Sequence, residues 1–291
     1  MSVINVLSED KPDGLEMSML PAIREIRQNG PGRLRRAALK ALVHLAGERS
    51  LDPGDLAVLR RLIAIKQLRD RPQPLGACWD YWLAVRGGDQ RGILRVLGLD
   101  RTTPATYPLG QVLIDHLAHG GPDDELTYRH VFVSPEVNGW TVVSGPSCDP
   151  ERPEVGRWVR ELSAVYGDAQ AYYHGGQGDG DAWLVGVSGD IVRRVHTEDL
   201  GSSEGEPLPV ERRILAELGL TGPPERLDDE GSDQHDFFFE CTAPRVAQSL
   251  SFDPVWTGFP TDPEVRGRAV LAWPSTDDDV SVLTGCYGVY L

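Results

Sequence analysis

The sequence predicts an α+β protein in two parts. A helical N-terminal region, residues 1–120, is expected to pack against an acidic domain, residues 125–291, built on a mainly antiparallel sheet with a few covering helices. Three observations carry this. Apolar residues recur at helical spacing through the first hundred positions. Short β-branched and aromatic runs flank Asn138-Gly139 and Ser188-Gly189-Asp190, which read as hairpin turns. Helices opened by proline and closed by glycine lie between those runs.

In order along the chain, Pro31-Gly32 precedes Arg33–Gly47, where Leu34, Ala38, Leu42 and Leu45 form an apolar stripe. Asp52-Pro53 places a capping acid before a first-turn proline, and Leu56, Leu59 and Ile63 follow. Leu75, Cys78, Trp79, Trp82 and Leu83 fall at i, i+3, i+4, i+7 and i+8, which predicts another helix. Gly87-Gly88 breaks the chain, and Asp89 caps a short helix with Ile93, Leu94 and Leu97 inward, ended by Gly98. Residues 101–130 read as a polar crossing with a brief helix at Leu113–Ala118, and the domain boundary is placed there.

In the second half, Val131–Val133 and Trp140–Val143 form the first hairpin. Pro153 opens a helix bearing Val155, Val159, Leu162 and Tyr166, closed by Gly167. Ala169–Tyr173, Ala182–Val187 and Ile191–His196 are strands. A helix starts at Pro209 and ends before Gly219, and Gly222–Asp236 is an acidic linker. A short helix near Pro244–Leu250 and a strand at Arg268–Trp273 follow.

The formal charge is −15 and the mean hydropathy −0.29, the profile of a soluble globular chain. Residues 1–100 carry 16 Lys and Arg against 12 Asp and Glu, a net of +4. Residues 101–291 carry 13 against 32, a net of −19. A surplus of +4 is a weak signal for nucleic acid, so the asymmetry is read as two halves of opposite sign lying together. No apolar run approaches the ~18 residues of a membrane helix. Met1–Leu20 carries Glu9, Asp10, Asp13 and Glu16, unlike a secretory signal. Cys78, Cys148, Cys241 and Cys286 are scattered and form no CxxC pair. The expectation is a cytoplasmic protein with reduced thiols, no membrane partner and no structural metal.

The main candidate site is the loop His174-Gly175-Gly176-Gln177-Gly178-Asp179-Gly180-Asp181. Its glycines let the backbone bend and expose N–H groups. Asp179 and Asp181 offer hard ligands, but Gly180 stands where a calcium nonapeptide needs aspartate. Tyr172 and Tyr173 must point to opposite faces of their strand, placing one aromatic outward beside the loop. Tyr173, His174, Gln177, Asp179 and Asp181 are therefore the candidate partner- or ligand-binding residues; the plain alternative is a flexible hairpin tip.

Other constellations carry less. His116 and His119 share a helical face with Asp123, Asp124 and His130 downstream, but the glutamate of HExxH is missing. Gly186-Val187-Ser188-Gly189-Asp190 matches a nucleophile elbow only in part, and it lies between two strands. Cys148 needs His174 or His196 beside it to serve as a nucleophile. Arg33, Arg36 and Lys40 share one helical face that suits phosphate or plain solvent. No P-loop, dinucleotide fingerprint or kinase lysine is present, so no cofactor is implied and no catalytic residue is assigned.

The succession Gly139-Trp140-Thr141-Val142-Val143, Arg160-Glu161-Leu162-Ser163, Tyr166-Gly167-Asp168-Ala169-Gln170, Ala182-Trp183-Leu184 and Gly189-Asp190-Ile191-Val192-Arg193-Arg194 resembles a family of bacterial proteins, chiefly from actinomycetes, that has no assigned activity. Arg33–Leu99 is similar to the same proteins. The resemblance implies a compartment and a domain order and transfers no catalytic motif. The functional expectation is a non-catalytic binding or accessory protein acting on a protein or peptide partner; an immunity-type neutraliser of a basic toxin domain would suit the net −19 of the second half. The alternative is a tailoring or hydrolytic enzyme of specialised metabolism with its site at the His174–Asp181 loop.

Overall fold

The computed structural model describes residues 14–46, 51–119, 129–176, 179–197, 203–222, 233–255 and 259–275. They fall into two compact units that divide between Leu62 and Ile63.

The first unit is helical: α1 (Gly14–Asn29), α2 (Gly32–Ala46) and the start of α3 (Pro53–Gln67). In α2 the inward face is Ala38, Leu39, Leu42 and Val43, while Arg33, Arg36 and Lys40 are exposed. The expected capping at Asp52 is present: its carboxylate accepts the Asp55 N–H at 2.8 Å. Arg27 of α1 pairs with Asp55 at 2.5 Å, tying α1 to the first turn of α3.

The second unit is an antiparallel sheet with helices on both faces. Its strands are β1 (Trp79–Arg86), β2 (Arg101–Pro104), β3 (Val131–Val137), β4 (Trp140–Ser144), β5 (Asp168–Gly175), β6 (Asp181–Val187), β7 (Asp190–His196), β8 (Val265–Arg266) and β9 (Val270–Trp273). The order is β2-β9-β3-β4-β1-β5-β6-β7, with β8 beside β3. The α+β class is therefore as expected. Both short-range turn signals hold: Asn138-Gly139 has φ of 50° and 82°, and Ser188-Gly189 has 52° and 97°.

Four helices stand between strands or beside them: α4 (Gln90–Leu97), α5 (Tyr107–His119), α6 (Pro153–Tyr166) and α7 (Pro209–Glu217). Two more follow, α8 (Asp233–Glu240) and α9 (Ala243–Leu250). On one face α4 and α6 bury Ile93, Leu94, Val159 and Leu162 against Leu83, Val143, Ala171 and Leu184. On the other, α7, α8 and α9 cover Trp82, Tyr172, Trp183 and Val195. Trp82 stacks on Tyr172 at 5.0 Å, and such aromatics each bury on the order of 150–250 Å². Asp89 caps α4 through the Gly92 N–H, and Gly98 ends it at φ 72°, both as expected.

Three expectations are corrected. Trp79–Leu83 is not helical; it begins β1, which lies between β4 and β5. Both faces of β1 are covered, so no polar alternation marks it as a strand, and the apolar run imitates a helical stripe. Residues 101–119 are not a polar crossing but β2 and α5, with Tyr107 packed edge-on to Phe132. A boundary at 120–125 consequently falls inside the second unit, because β1 supplies its central strand. Most of the expected linker 222–236 and the apolar C-terminus lie outside the described residues.

Candidate functional site

The sheet end formed by β1, β5 and β6 brings the candidate residues together. Register sets their faces. Asp80 stands opposite His174, and His174 opposite Asp181. Thr197 continues the row: it receives the Asp181 N–H on its hydroxyl at 2.7 Å, and its own N–H donates to the Asp181 carbonyl at 2.9 Å. These side chains share the sheet face of Trp82, Tyr172 and Trp183, beneath α9.

Asp181 is not a loop-tip residue. It is the first residue of β6 and is buried. Its Oδ1 lies 2.8 Å from His174 Nδ1 and accepts the Ala243 N–H at 2.9 Å. The Ala243 amide belongs to the first turn of α9, where N–H groups lack helical partners and the helix dipole favours an anion. Asp181 thus docks α9 on the sheet.

Asp80 is 4% exposed. Its Oδ1 accepts the Ala77 N–H at 2.8 Å, and its Oδ2 is buried without a hydrogen-bond partner among the described residues. Burial pushes its carboxyl up to about 7, against the pull of the Ala77 N–H and of His174; the charge of Asp253 adds to the rise. For His174 burial works the other way, toward the neutral ring. The hydrogen bond to Asp181 and the charges of Asp181, Asp80 and Asp253 outweigh it and hold the imidazole above its usual value. Asp253, also buried, lies just beyond α9 and accepts the Val255 N–H at 2.7 Å.

The opposite side of the same strand end faces outward. Tyr173 stacks on Tyr81 at 4.8 Å, and its hydroxyl donates to the Asp179 carbonyl at 3.2 Å. The Trp79 indole N–H donates to the Asp179 carboxylate at 2.9 Å, and both residues are exposed. The Gly176 N–H donates to the Cys78 carbonyl at 2.9 Å, which pins the turn to the start of β1. Gln177 lies outside the described residues. The five sequence candidates therefore divide: Tyr173 and Asp179 form an outer rim with Trp79, while His174 and Asp181 belong to an inner row with Asp80. Sequence reasoning missed Trp79, Asp80 and Asp253. The one available signal was Asp80 itself, an acid inside an aromatic and apolar run.

The remaining constellations do not assemble. Ser188 is the first residue of a two-residue hairpin turn. Cys148 is buried among the residues under α4 and α6, the face opposite His174, and burial pushes its thiol up to about 12. His116 is exposed, whereas His130 is buried and stacked on Trp273 at 5.6 Å. The His119 side chain, Asp123 and Asp124 lie outside the described residues. Among the described residues no group of three His, Cys, Asp or Glu is arranged to hold a metal ion, and no helix is long and apolar enough to cross a membrane.

No protein-family model, curated protein or solved structure matches this chain.

Proposed function

We propose that this chain is a non-catalytic binding or accessory protein that engages a basic protein or peptide. The engaging surface is the rim of Trp79, Tyr173 and Asp179. One observation carries the reading: an exposed indole is held by the carboxylate of Asp179 next to a pair of stacked tyrosines. An aromatic face beside a carboxylate is the chemistry that receives arginine and lysine side chains, through cation–π contact and charge-assisted hydrogen bonds. The net −19 of residues 101–291 supports the same partner, since long-range attraction steers a basic surface toward it. A neutraliser of a basic toxin domain fits this description.

The test is calorimetric titration with an arginine-rich peptide at low and at high salt. Binding is expected at low salt, weakened by salt and weakened about tenfold or more by Trp79→Ala. An absence of binding, or binding untouched by Trp79→Ala, contradicts the reading.

A second reading, a tailoring or hydrolytic enzyme, is favoured by Asp80, which holds its proton near neutrality beside His174. It is the weaker of the two, because Asp80 and Asp181 are both buried, and Asp181 is committed to the Ala243 N–H that holds α9 on the sheet.

A further inference from the structure

Four segments meet at the inner row. Asp80 closes the turn after Ala77, and the Leu75 N–H donates to the Pro254 carbonyl at 2.8 Å. His174 is the penultimate residue of β5, Asp181 starts β6, and the first turn of α9 hangs on Asp181 through Ala243. Asp253 returns the chain to the same place from the far end of α9, and its charge acts on both Asp80 and His174.

Three carboxylates and one imidazole are thus gathered at one sheet end. Titratable groups on the elements packed beside the row have partners of their own. Cys241, which precedes α9, is held protonated by burial and by Glu211 and Asp181. Glu211 of α7 is paired with Arg193 of β7 at 3.0 Å. Arg245 of α9 is drawn to Glu240 and to Glu217.

We propose that this corner is a proton-operated latch: protons held by Asp80 and His174 keep Asp181 and Asp253 together beneath α9, and their loss releases the α9–Val255 segment from the sheet. The inference does not rest on the binding reading. With Asp80 protonated and His174 charged, one cation faces two carboxylates and Asp80 Oδ2 carries no uncompensated charge. With both protons lost, three carboxylates share a buried site, which like-charge repulsion and desolvation disfavour. The contacts that yield first are the Ala243 N–H on Asp181 and the Leu75 N–H on the Pro254 carbonyl, which lie beside the row; the Ser251 hydroxyl on Gln170 and the apolar packing of Val246, Ala247 and Phe252 lie further along the segment.

The experiment is amide hydrogen exchange on the full chain at about pH 6 and about pH 8.5, with rates normalised for intrinsic base catalysis. Protection at Ala243, Val255 and Leu75 is expected to fall about tenfold or more at the higher pH, while amides of the β3–β4 ladder keep theirs. Asp80→Asn, which keeps the shape and removes the Asp80 titration, is expected to weaken the pH dependence, leaving the part that His174 contributes. Equal protection of the wild type at both pH values overturns the latch, as does an Asp80→Asn chain that loses protection with pH like the wild type. A second arm needs no Asp80 variant. The His174 ring titration, followed by NMR, is expected to move to lower pH in Asp253→Asn, and an unmoved midpoint overturns the proposal.

Discussion

Asp80 and His174 face each other across the β1–β5 ladder, each on the helix-covered side of the sheet. This pairing places a carboxyl that burial pushes up to about 7 beside an imidazole held above its usual value. The folded protein therefore holds protons at this corner more tightly than the unfolded chain does.

That difference sets a sign for stability against pH. A group whose folded value is raised contributes stability that is complete below its unfolded value and is lost as pH rises through the folded one. For Asp80 the loss runs from about 4 to about 7; for His174 it begins above 6.5 and acts in the same sense. At about 1.4 kcal/mol per unit, the Asp80 contribution is on the order of 4 kcal/mol. Urea unfolding at about pH 5 and about pH 8 should show the wild type losing more stability than Asp80→Asn as pH rises. Parallel losses in the two proteins count against the assignment.

The two acids that flank Gly180 should behave differently. Asp181→Ala removes the acceptor of the Ala243 N–H and the partner of His174, both in buried surroundings. A cost of about 2–3 kcal/mol is expected, read as a fall of roughly 4–10 °C in the thermal midpoint. Asp179→Ala alters an exposed contact and should stay within ~0.5 kcal/mol. Equal midpoints for the two variants contradict the division into rim and row.

Glu211 is the other polar anchor beneath the helices. Its carboxylate receives the Trp183 indole N–H at 2.7 Å, the Arg193 guanidinium at 3.0 Å and the Leu208 N–H at 2.8 Å, all buried. Glu211→Ala leaves a buried guanidinium without its counter-charge. A loss of about 3–5 kcal/mol in chemical denaturation is the expected result.

Gly186 tests the packing of α6 on the sheet. A Cβ there would lie 2.6 Å from Val159 Cγ1 and 3.1 Å from the Val159 carbonyl oxygen. Backbone on one side leaves little room to adjust, so Gly186→Ala should cost about 1–3 kcal/mol, measured by thermal unfolding. A neutral substitution means that α6 can lift from β6 without penalty.

The parts of this fold that were legible in the sequence are those specified by neighbours. Asn138-Gly139 and Ser188-Gly189 place hairpins because positive φ is a local demand, and Asp89 and Gly98 bound α4 for the same reason. β1 was hidden because Trp82 and Ala84 face one layer while Leu83 and Val85 face the other, which erases the alternation of a half-exposed strand. The site was half legible. The glycine-rich turn lies at the sheet end where His174, Asp181 and Asp80 gather, and Tyr173 and Tyr172 face opposite sides as alternation requires. What separates Asp179 from Asp181 is tertiary: one meets Trp79 from 100 residues away, the other Ala243 from 62. Neither distance leaves a trace in local composition.

We propose that the Trp79, Tyr173 and Asp179 rim receives a basic partner. The most direct measurement is a two-dimensional 15N–1H NMR titration of the protein with an arginine-rich peptide. The Trp79 indole N–H resonance and the amides of Tyr173, Asp179 and Gly180 are expected to shift first and saturate together, and Asp179→Asn is expected to suppress those shifts. Shifts confined to α2 or to the α4–α6 face, or rim resonances that stay in place throughout, would contradict it.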